Sequence, residues 1–283
     1  MIPAGFEYVA PATVDEAVAA LAGSSDAKVL AGGQSLMPVL RLRLAAPELI
    51  VDLGRIGELR GVREDGDALV IGAMTPHSVV QSDPLVAEHA RLLSLAAATI
   101  ADPQVRHRGT FGGSLAHADP AGDLPAPNVA LGSEMVIAGT SGRRTVPAAE
   151  FFTDLFTTVI GEDELLVEVR VPKYTGWGAH YEKFSRTAQQ WSIAGVAAAV
   201  RMDNDTIAEA RVALTNMGST PVRARTVEEA LVGQPATDEA VRAAAASAAD
   251  GTSPPSNSDG DADYRRHLAQ VLTRRAVLAA AGA

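Results

Sequence analysis

Apolar positions along this chain change period repeatedly, and each change marks an element. In residues 13–22 (TVDEAVAALA), Val14, Ala17, Val18 and Leu21 recur at helical spacing, with Asp15 and Glu16 in the first turn. The pattern predicts a helix with its N-cap at Thr13. Residues 27–31 and 49–53, and 69–71 with Ala73, predict short strands; the first runs into Gly32-Gly33 and the last follows the turn Asp65-Gly66-Asp67. Residues 85–100 carry a helical pattern, 134–138 and 165–171 read as strands, and 147–152 as a short helix.

After Pro172 the texture changes. The stretch 173–178 (KYTGWG) reads as a linker, and residues 179–184, 193–202 and 208–215 predict three strands, with alternation in the last two blurred by alanine. Residues 227–232 and 238–249 predict helices, 252–261 (TSPPSNSDGD) excludes regular structure, and 264–281 predicts a closing helix. Helices and strands mix without strict βαβ alternation, which favours an α+β fold over a doubly wound sheet. No internal repeat of 20–50 residues is present.

Composition narrows the function. With 24 Lys+Arg against 34 Asp+Glu, the net charge of −10 argues against nucleic acid or an anionic membrane as partner. The absence of cysteine excludes disulfides, thiol catalysis and an iron–sulfur cluster held by this chain's own thiolates. No apolar run approaches the ~20 residues that span a bilayer, and the N-terminus lacks a basic secretory n-region, so no transmembrane segment and a cytoplasmic location are expected. The six histidines show no H-x-x-x-H or H-E-x-x-H spacing, so no metal site is expected.

Two glycine pairs are the candidate binding elements: Leu30-Ala31-Gly32-Gly33-Gln34-Ser35-Leu36, and Arg108-Gly109-Thr110-Phe111-Gly112-Gly113-Ser114. Adjacent glycines permit close backbone approach and let successive N–H groups converge on an anion; each pair also reads as a tight turn. Neither fits G-x-G-x-x-G or the Walker pattern. Asp119-Pro120 reads as a turn that positions Asp123, and His117 as a loop-stabilising residue. Lys183 reads as a solvated strand residue or a ligand contact, and Trp191 as a core residue or a stacking face. Arg41, Arg43, Arg106 and Arg108 read as a solvated or partner-facing surface, or as neutralising a ligand phosphate.

The segment 110–125 (TFGGSLAHADPAGDLP), taken with the first glycine loop, Lys183-Phe184-Ser185-Arg186, Trp191 and Asp263-Tyr264-Arg265-Arg266, resembles the FAD-binding subunit of the molybdenum hydroxylases, the carbon monoxide dehydrogenase and xanthine dehydrogenase family. Three motifs stand in family order and the likeness covers nearly the whole chain. The resemblance implies a two-lobed FAD-binding domain at residues 1–175, with subdomains at about 1–57 and 58–175. A smaller C-terminal domain at 176–283, with a three-stranded antiparallel sheet and helices, would follow.

It also implies noncovalent FAD. Val29, Leu30, Ala31, Gly32, Gly33, Gln34, Ser35 and Leu36 would form one diphosphate loop, and Gly109, Thr110, Gly112, Gly113 and Ser114 the other. Ile100 and Ala101 would border the flavin and ribityl chain, and Asp123 would bond the ribityl or adenosine portion. Leu166 would give a backbone contact near the adenine, and Trp191 would face the isoalloxazine. Lys183 would donate to the isoalloxazine edge and raise the flavin's reduction potential. Phe111 and Gln189-Gln190 depart from the family pattern, the latter standing where eukaryotic relatives carry acids.

The role implied is electron transfer within a heteromeric molybdenum hydroxylase. A small subunit would carry [2Fe–2S] clusters and a large one the molybdenum cofactor, assembled as a dimer of heterotrimers. Electrons would leave the flavin to a quinone, NAD or oxygen. The rival readings are a self-sufficient FAD-dependent oxidoreductase and a non-redox nucleotide-binding regulatory or assembly protein.

Overall fold

The computed structural model describes residues 2–282; Met1 and Ala283, the outer ends of the first and last expected units, lie outside the described residues. Strand β1 (Glu7–Val9) leads to helix α1 (Val14–Ala22), where Thr13 accepts a hydrogen bond from the Glu16 amide as the cap expected. Next come β2 (Ala27–Leu30), α2 (Leu36–Arg41) and β3 (Leu49–Asp52). These strands form a parallel sheet in the order β1-β3-β2, and Val14, Ala17, Val18 and Leu21 of α1 are buried with it.

A second layer follows. The hairpin β4 (Val62–Asp65) and β5 (Ala68–Gly72) precedes a helical run: α3 (His77–Ser82), α4 (Pro84–His89), α5 (Arg91–Ala98), α6 (Pro103–Arg108), α7 (Phe111–His117) and α8 (Pro125–Ala130). The single helix expected over 85–100 is two, because the chain breaks at Ala90 (φ −142°, ψ 44°). Then come β6 (Glu134–Gly139), β7 (Gly142–Pro147), α9 (Ala148–Phe151), the small hairpin β8 (Phe152–Asp154) and β9 (Thr157–Thr158), and β10 (Leu165–Pro172). The antiparallel order is β4-β5-β10-β6-β7.

The central strands of this sheet, β5, β10 and β6, are buried on both faces, while the edge strands β4 and β7 are largely exposed. Met135 and Ile137 of β6 join the core under the helices, while Val136 and Ala138 join the core shared with α1. A bulge between Leu166 and Glu168 shifts the register of β10 by one residue. Leu165 and Val167 therefore face the α1 side, and Leu166, Val169 and Val171 the other.

The third layer contains β11 (Gly178–Phe184), β12 (Ala194–Asp203), β13 (Thr206–Thr215) and β14 (Val222–Arg223), then α10 (Arg225–Leu231), α11 (Asp238–Ala245) and α12 (Ala262–Ala281). The three expected antiparallel strands are present, and β14 adds a short fourth in sequential order. Alanine blurs the alternation because both faces of β12 are covered. Val196, Ala198 and Val200 pack into the core of α10–α12, whereas Ala197 and Ala199, with Ala213 of β13, join the core beneath α5 and α8. Small side chains on that second face let the sheet lie close on the helical layer.

The joint that sets up the site is Thr75–His77 against Gly109–Phe111. His77 N donates to Gly109 O (3.0 Å) and Phe111 N to Thr75 O (2.9 Å). A Cβ on Gly109 would sit 2.8 Å from the His77 ring, so glycine is required for this approach. The His77 side chain is buried, its Nδ1 has no hydrogen-bond partner, and burial, then Arg106, lower its pKa from 6.5 to about 4. The neutral form is therefore the folded form. Between pH 6.5 and 4 the unfolded chain binds the extra proton, so stability falls as pH drops through that window, by about 3 kcal/mol for this residue. Urea unfolding of the ligand-free chain at pH 7 and 4 should show the parent losing about that much more than His77→Gln; equal losses would dismiss His77 as a source of acid sensitivity.

Candidate functional site

A cleft of about 670 Å³ opens where the three layers meet. Its wall comes from Val29 and Ala31 at the end of β2, the turn Gly32 to Ser35, Leu36 of α2, Ile100-Ala101 after α5, Gly109 to Ser114 at the entry to α7, and Lys183 and Trp191 from the third layer. A volume of this order suits a cofactor-sized ligand.

The two glycine pairs, alike in sequence, do different work. The first is a true loop. Gly33 has φ +76°, a conformation that favours glycine, and a Cβ on Gly32 would overlap the Arg108 carbonyl and Gly109 Cα. The amides of Gly32, Gly33, Gln34, Ser35 and Leu36 donate to no acceptor among the described residues. The second is a correction to the expected loop: Thr110 is the N-cap, and Phe111 to Ser114 the first turn, of α7. Its amides are already engaged, Phe111 with Thr75 O, Gly112 with Ala73 O, Gly113 with Thr110 Oγ1 and Ser114 with Thr110 O. What it offers the cleft is the hydroxyls of Thr110 and Ser114, beside that of Ser35 on the facing loop.

Ile100 and Ala101 are fixed by their carbonyls. Arg106 Nη1 donates to Ile100 O (2.7 Å) and Ala101 O (3.4 Å), and Ala101 sits at φ +38°. Arg106 is thus a structural tie between α6 and the cleft wall, which corrects its reading as a solvated surface residue.

Lys183 of β11 is buried, not solvated. Its Nζ lies 2.7 Å from Asp123 Oδ2, with the two side chains 8% and 4% exposed, and it also donates to Thr99 O at 3.1 Å. Asp123 Oδ1 accepts from Tyr181 Oη (2.9 Å) and Ser192 Oγ (2.8 Å). Burial raises the Asp123 carboxyl above its ordinary pKa while Lys183, Ser192 and Tyr181 oppose that shift; burial, then the Asp123 charge, holds the Tyr181 phenol well above its usual value, so Tyr181 remains a neutral donor.

Trp191 is no core residue: at 55% exposed it stands on the cleft wall beside Gln189 and Gln190. Gln190 Nε2 contacts Asp259 Oδ1 (3.3 Å), as does Arg186 (3.2 Å), tying this segment to the loop before α12. His117 ends α7 on the cleft wall, its ring 5.1 Å from that of Phe156.

The structure thus brings Val29, Ala31 to Leu36, Ile100, Ala101, Gly109, Thr110, Gly113, Ser114, Asp123, Lys183 and Trp191 to one cleft. It does not bring Leu30, Gly112 or Leu166 to its surface. Gly112 is buried against Ala73, and Leu166 is a core residue of β10 paired with Ile137. Wall residues that the motifs did not indicate include Lys28, Val39, His77, Val105 and Phe156. For His77 the sequence signal was Thr75-Pro76-His77 directly after a strand, the place where loops meet ligands; Phe156, at φ +54°, carried no such signal.

The donor set fits a diphosphate. Consecutive unengaged amides, three hydroxyls and a neutral imidazole line one cleft, whose two carboxylates, Asp119 and Asp123, already accept from protein donors, and a Cβ at Gly32 would close the gap between the two segments. Among the described residues no group of three or more His, Asp or Glu side chains is arranged to hold a metal ion, and no helix is long and apolar enough to cross a membrane.

Residues 4–174 match the family described as the FAD binding domain in molybdopterin dehydrogenase, and residues 179–280 match the CO dehydrogenase flavoprotein C-terminal domain. The carbon monoxide dehydrogenase medium chain of Hydrogenophaga pseudoflava is 46% identical over 284 residues, covering 99% of this chain and 98% of the relative. That of Afipia carboxidovorans is 40% identical, covering 98% and 97%. The solved carbon monoxide dehydrogenase from H. pseudoflava superposes with a TM-score of 0.95 at 48% identity, over 99% of this chain and 98% of that one. With both halves matched and the relatives covered almost end to end, the chain belongs to the FAD-binding medium subunits of the carbon monoxide dehydrogenase and xanthine dehydrogenase family.

Proposed function

We propose that this chain is the FAD-carrying electron-transfer subunit of a heteromeric molybdenum-containing hydroxylase. The observation that carries the reading is the cleft itself: a run of unengaged amides from Gly32 to Leu36 shares one wall lining with Thr110, Ser114 and the buried Lys183. The Gly32–Leu36 amides and the Ser35, Thr110 and Ser114 hydroxyls would hold the diphosphate. Ile100 and Ala101 would border the ring system, Lys183 would serve its polar edge and Trp191 would cover a face. Bound there, FAD supplies the two-electron to one-electron conversion that links a hydroxylation centre to its acceptor.

With no cysteine, the chain cannot itself ligate a thiolate-bound [2Fe–2S] cluster. The reading therefore assigns the clusters to a small subunit and the molybdenum cofactor to a large one, in a dimer of heterotrimers, with a quinone, NAD or oxygen as acceptor and the cytoplasm as location. The division into residues 1–175, themselves about 1–57 and 58–175, and residues 176–283 belongs to the same proposal.

Acid or heat should release one FAD per chain into the supernatant, because no cysteine is present for thioether attachment and the cleft offers hydrogen bonds. FMN, or flavin that stays with the precipitate, would sink the assignment. Gly32→Ala should weaken FAD retention about tenfold or more in a chain that still folds, since the new methyl drives the loop off Arg108 and Gly109; fluorescence titration of the apoprotein reads it, and undiminished affinity would count against the cradle. Purification of the native protein with metal analysis tests the assembly. Molybdenum and iron–sulfur subunits should copurify, and a solitary flavoprotein that oxidises its own substrate would replace this reading with the self-sufficient one.

A further inference from the structure

Trp191 is a large apolar side chain held exposed on the cleft wall, and its ring meets no other aromatic ring or guanidinium among the described residues. The chain on either side of it is anchored. Ser192 Oγ donates to Asp123 Oδ1, and Ser192 O accepts from Asn216 Nδ2 at 2.7 Å. On the other side, Gln190 Nε2 and Arg186 Nη2 both reach Asp259 Oδ1, at 3.3 and 3.2 Å. Asp259 lies inside a tight turn. Asn257 and Gly260 exchange backbone hydrogen bonds of 3.1 and 3.2 Å, and Asn257 Oδ1 accepts from Asp259 N (2.9 Å) and from Arg265 Nη2 (2.8 Å). Arg265, on α12, is 1% exposed, and its guanidinium also donates to the carbonyl of Ile193, two residues after Trp191. One buried side chain therefore fixes both the turn that carries Asp259 and the chain just beyond the indole.

We propose that Asp259 is a positioning residue for Trp191: through Gln190 and Arg186 it holds the 186–190 segment so that the indole stays over the cleft and slows escape of the bound flavin. This rests on the FAD reading above. Either contact alone is a partly exposed polar bond, of a kind worth little. Their strength lies in arrangement. Both converge on one oxygen of a residue that Arg265 has already fixed, so little freedom is left to freeze on Asp259 itself. The connection between β11 and β12 is closed at its base by Ile193 N donating to Phe184 O at 2.8 Å. Without Asp259 it keeps that base and the anchor at Ser192 but loses its hold in between, and the indole divides its time between cleft and solvent. The turn before α12 thereby takes part in retaining the flavin, although neither Asp259 nor Arg265 lines the cleft.

The test is the rate of FAD release from the native protein purified with its partners, read as the rise of free-flavin fluorescence after dilution, with flavin content measured first. Trp191→Ala should release FAD about threefold to tenfold faster than the parent, as a stacking contact of this kind is worth. Asp259→Ala should speed release by a similar factor. Asp259→Ala/Trp191→Ala should be no faster than Trp191→Ala, because the carboxylate then has nothing left to position; a general loosening of the fold would multiply the two effects instead. Arg186→Ala/Gln190→Ala removes the same contacts from the other side and should match Asp259→Ala, and it decides the matter if that variant does not assemble. Release at the parent rate from the variants that cut these contacts, or effects that multiply in the combined variant, would overturn the proposal. Parent-like release from Trp191→Ala would overturn it as well. A native protein that carries no FAD would overturn the functional reading first, and this inference with it.

Discussion

The buried contact between Lys183 and Asp123 is the constraint on which the arrangement of the cleft depends. Asp123 precedes α8 in the helical layer, Lys183 and Tyr181 stand on β11, Ser192 precedes β12, Thr215 ends β13 and Thr99 ends α5. A handful of polar groups therefore joins the third layer to the second at the edge of the cleft. Breaking one partner of such a pair costs about 3–5 kcal/mol, because the survivor is left charged and unpaired in a poorly solvated place. Apolar packing of Ala197, Ala199 and Ala213 against the helical layer brings the sheet close, but flat small-residue packing admits sliding. The directional bonds to Asp123 fix which strand residue faces the cleft.

The opposite wall is fixed by backbone approach. Gly32 abuts Arg108 and Gly109, Gly109 abuts His77, and Gly112 abuts Ala73. Each contact brings two main chains, or a main chain and a ring, closer than a Cβ allows. The glycines of the second segment are thus explained by packing as much as by ligand contact. The division of labour follows from secondary structure. A helix start consumes its own first amides when a threonine caps it and a neighbouring strand end accepts the rest; a loop with φ > 0 at Gly33 leaves its amides in the cleft.

Much of this was legible in the chain. Helix α1 and its cap, the strands around β2, β3, β6 and β10, the strands β11–β13 and the closing helix follow from periodicity alone, and the motifs that resemble the family mark the cleft residues closely. Where the reading departed from the structure, the reason is physical in each case. A single pattern over 85–100 cannot reveal the break at Ala90, since both halves bury the same face. The glycines at 112 and 113 read as a loop because glycine is a poor helix former, whereas here close approach to Ala73 outweighs propensity. Arg106 read as a surface residue, and a solvated place stayed open for Lys183, because long charged side chains are usually exposed; only the fold discloses the carbonyls and the carboxylate that hold them.

The same geometry bears on what kind of flavoprotein this is. An enzyme that oxidises its own substrate at a flavin needs an acid or base with a labile proton near the reacting carbon, placed within hydrogen-bond reach. On this cleft wall Asp123 is committed to three donors, His77 is neutral and set among the backbone contacts of Gly109, and Asp119 Oδ1 accepts from Ala121 N in its own turn. The groups that remain are amides, hydroxyls, one ammonium hydrogen and the side chains of Lys28 and His117, the last set against the Phe156 ring; most of these bind and tune a cofactor rather than move a substrate proton. A cleft so furnished suits a carrier whose chemistry begins and ends on other chains, where holding the flavin at a suitable potential is the whole of the protein's task.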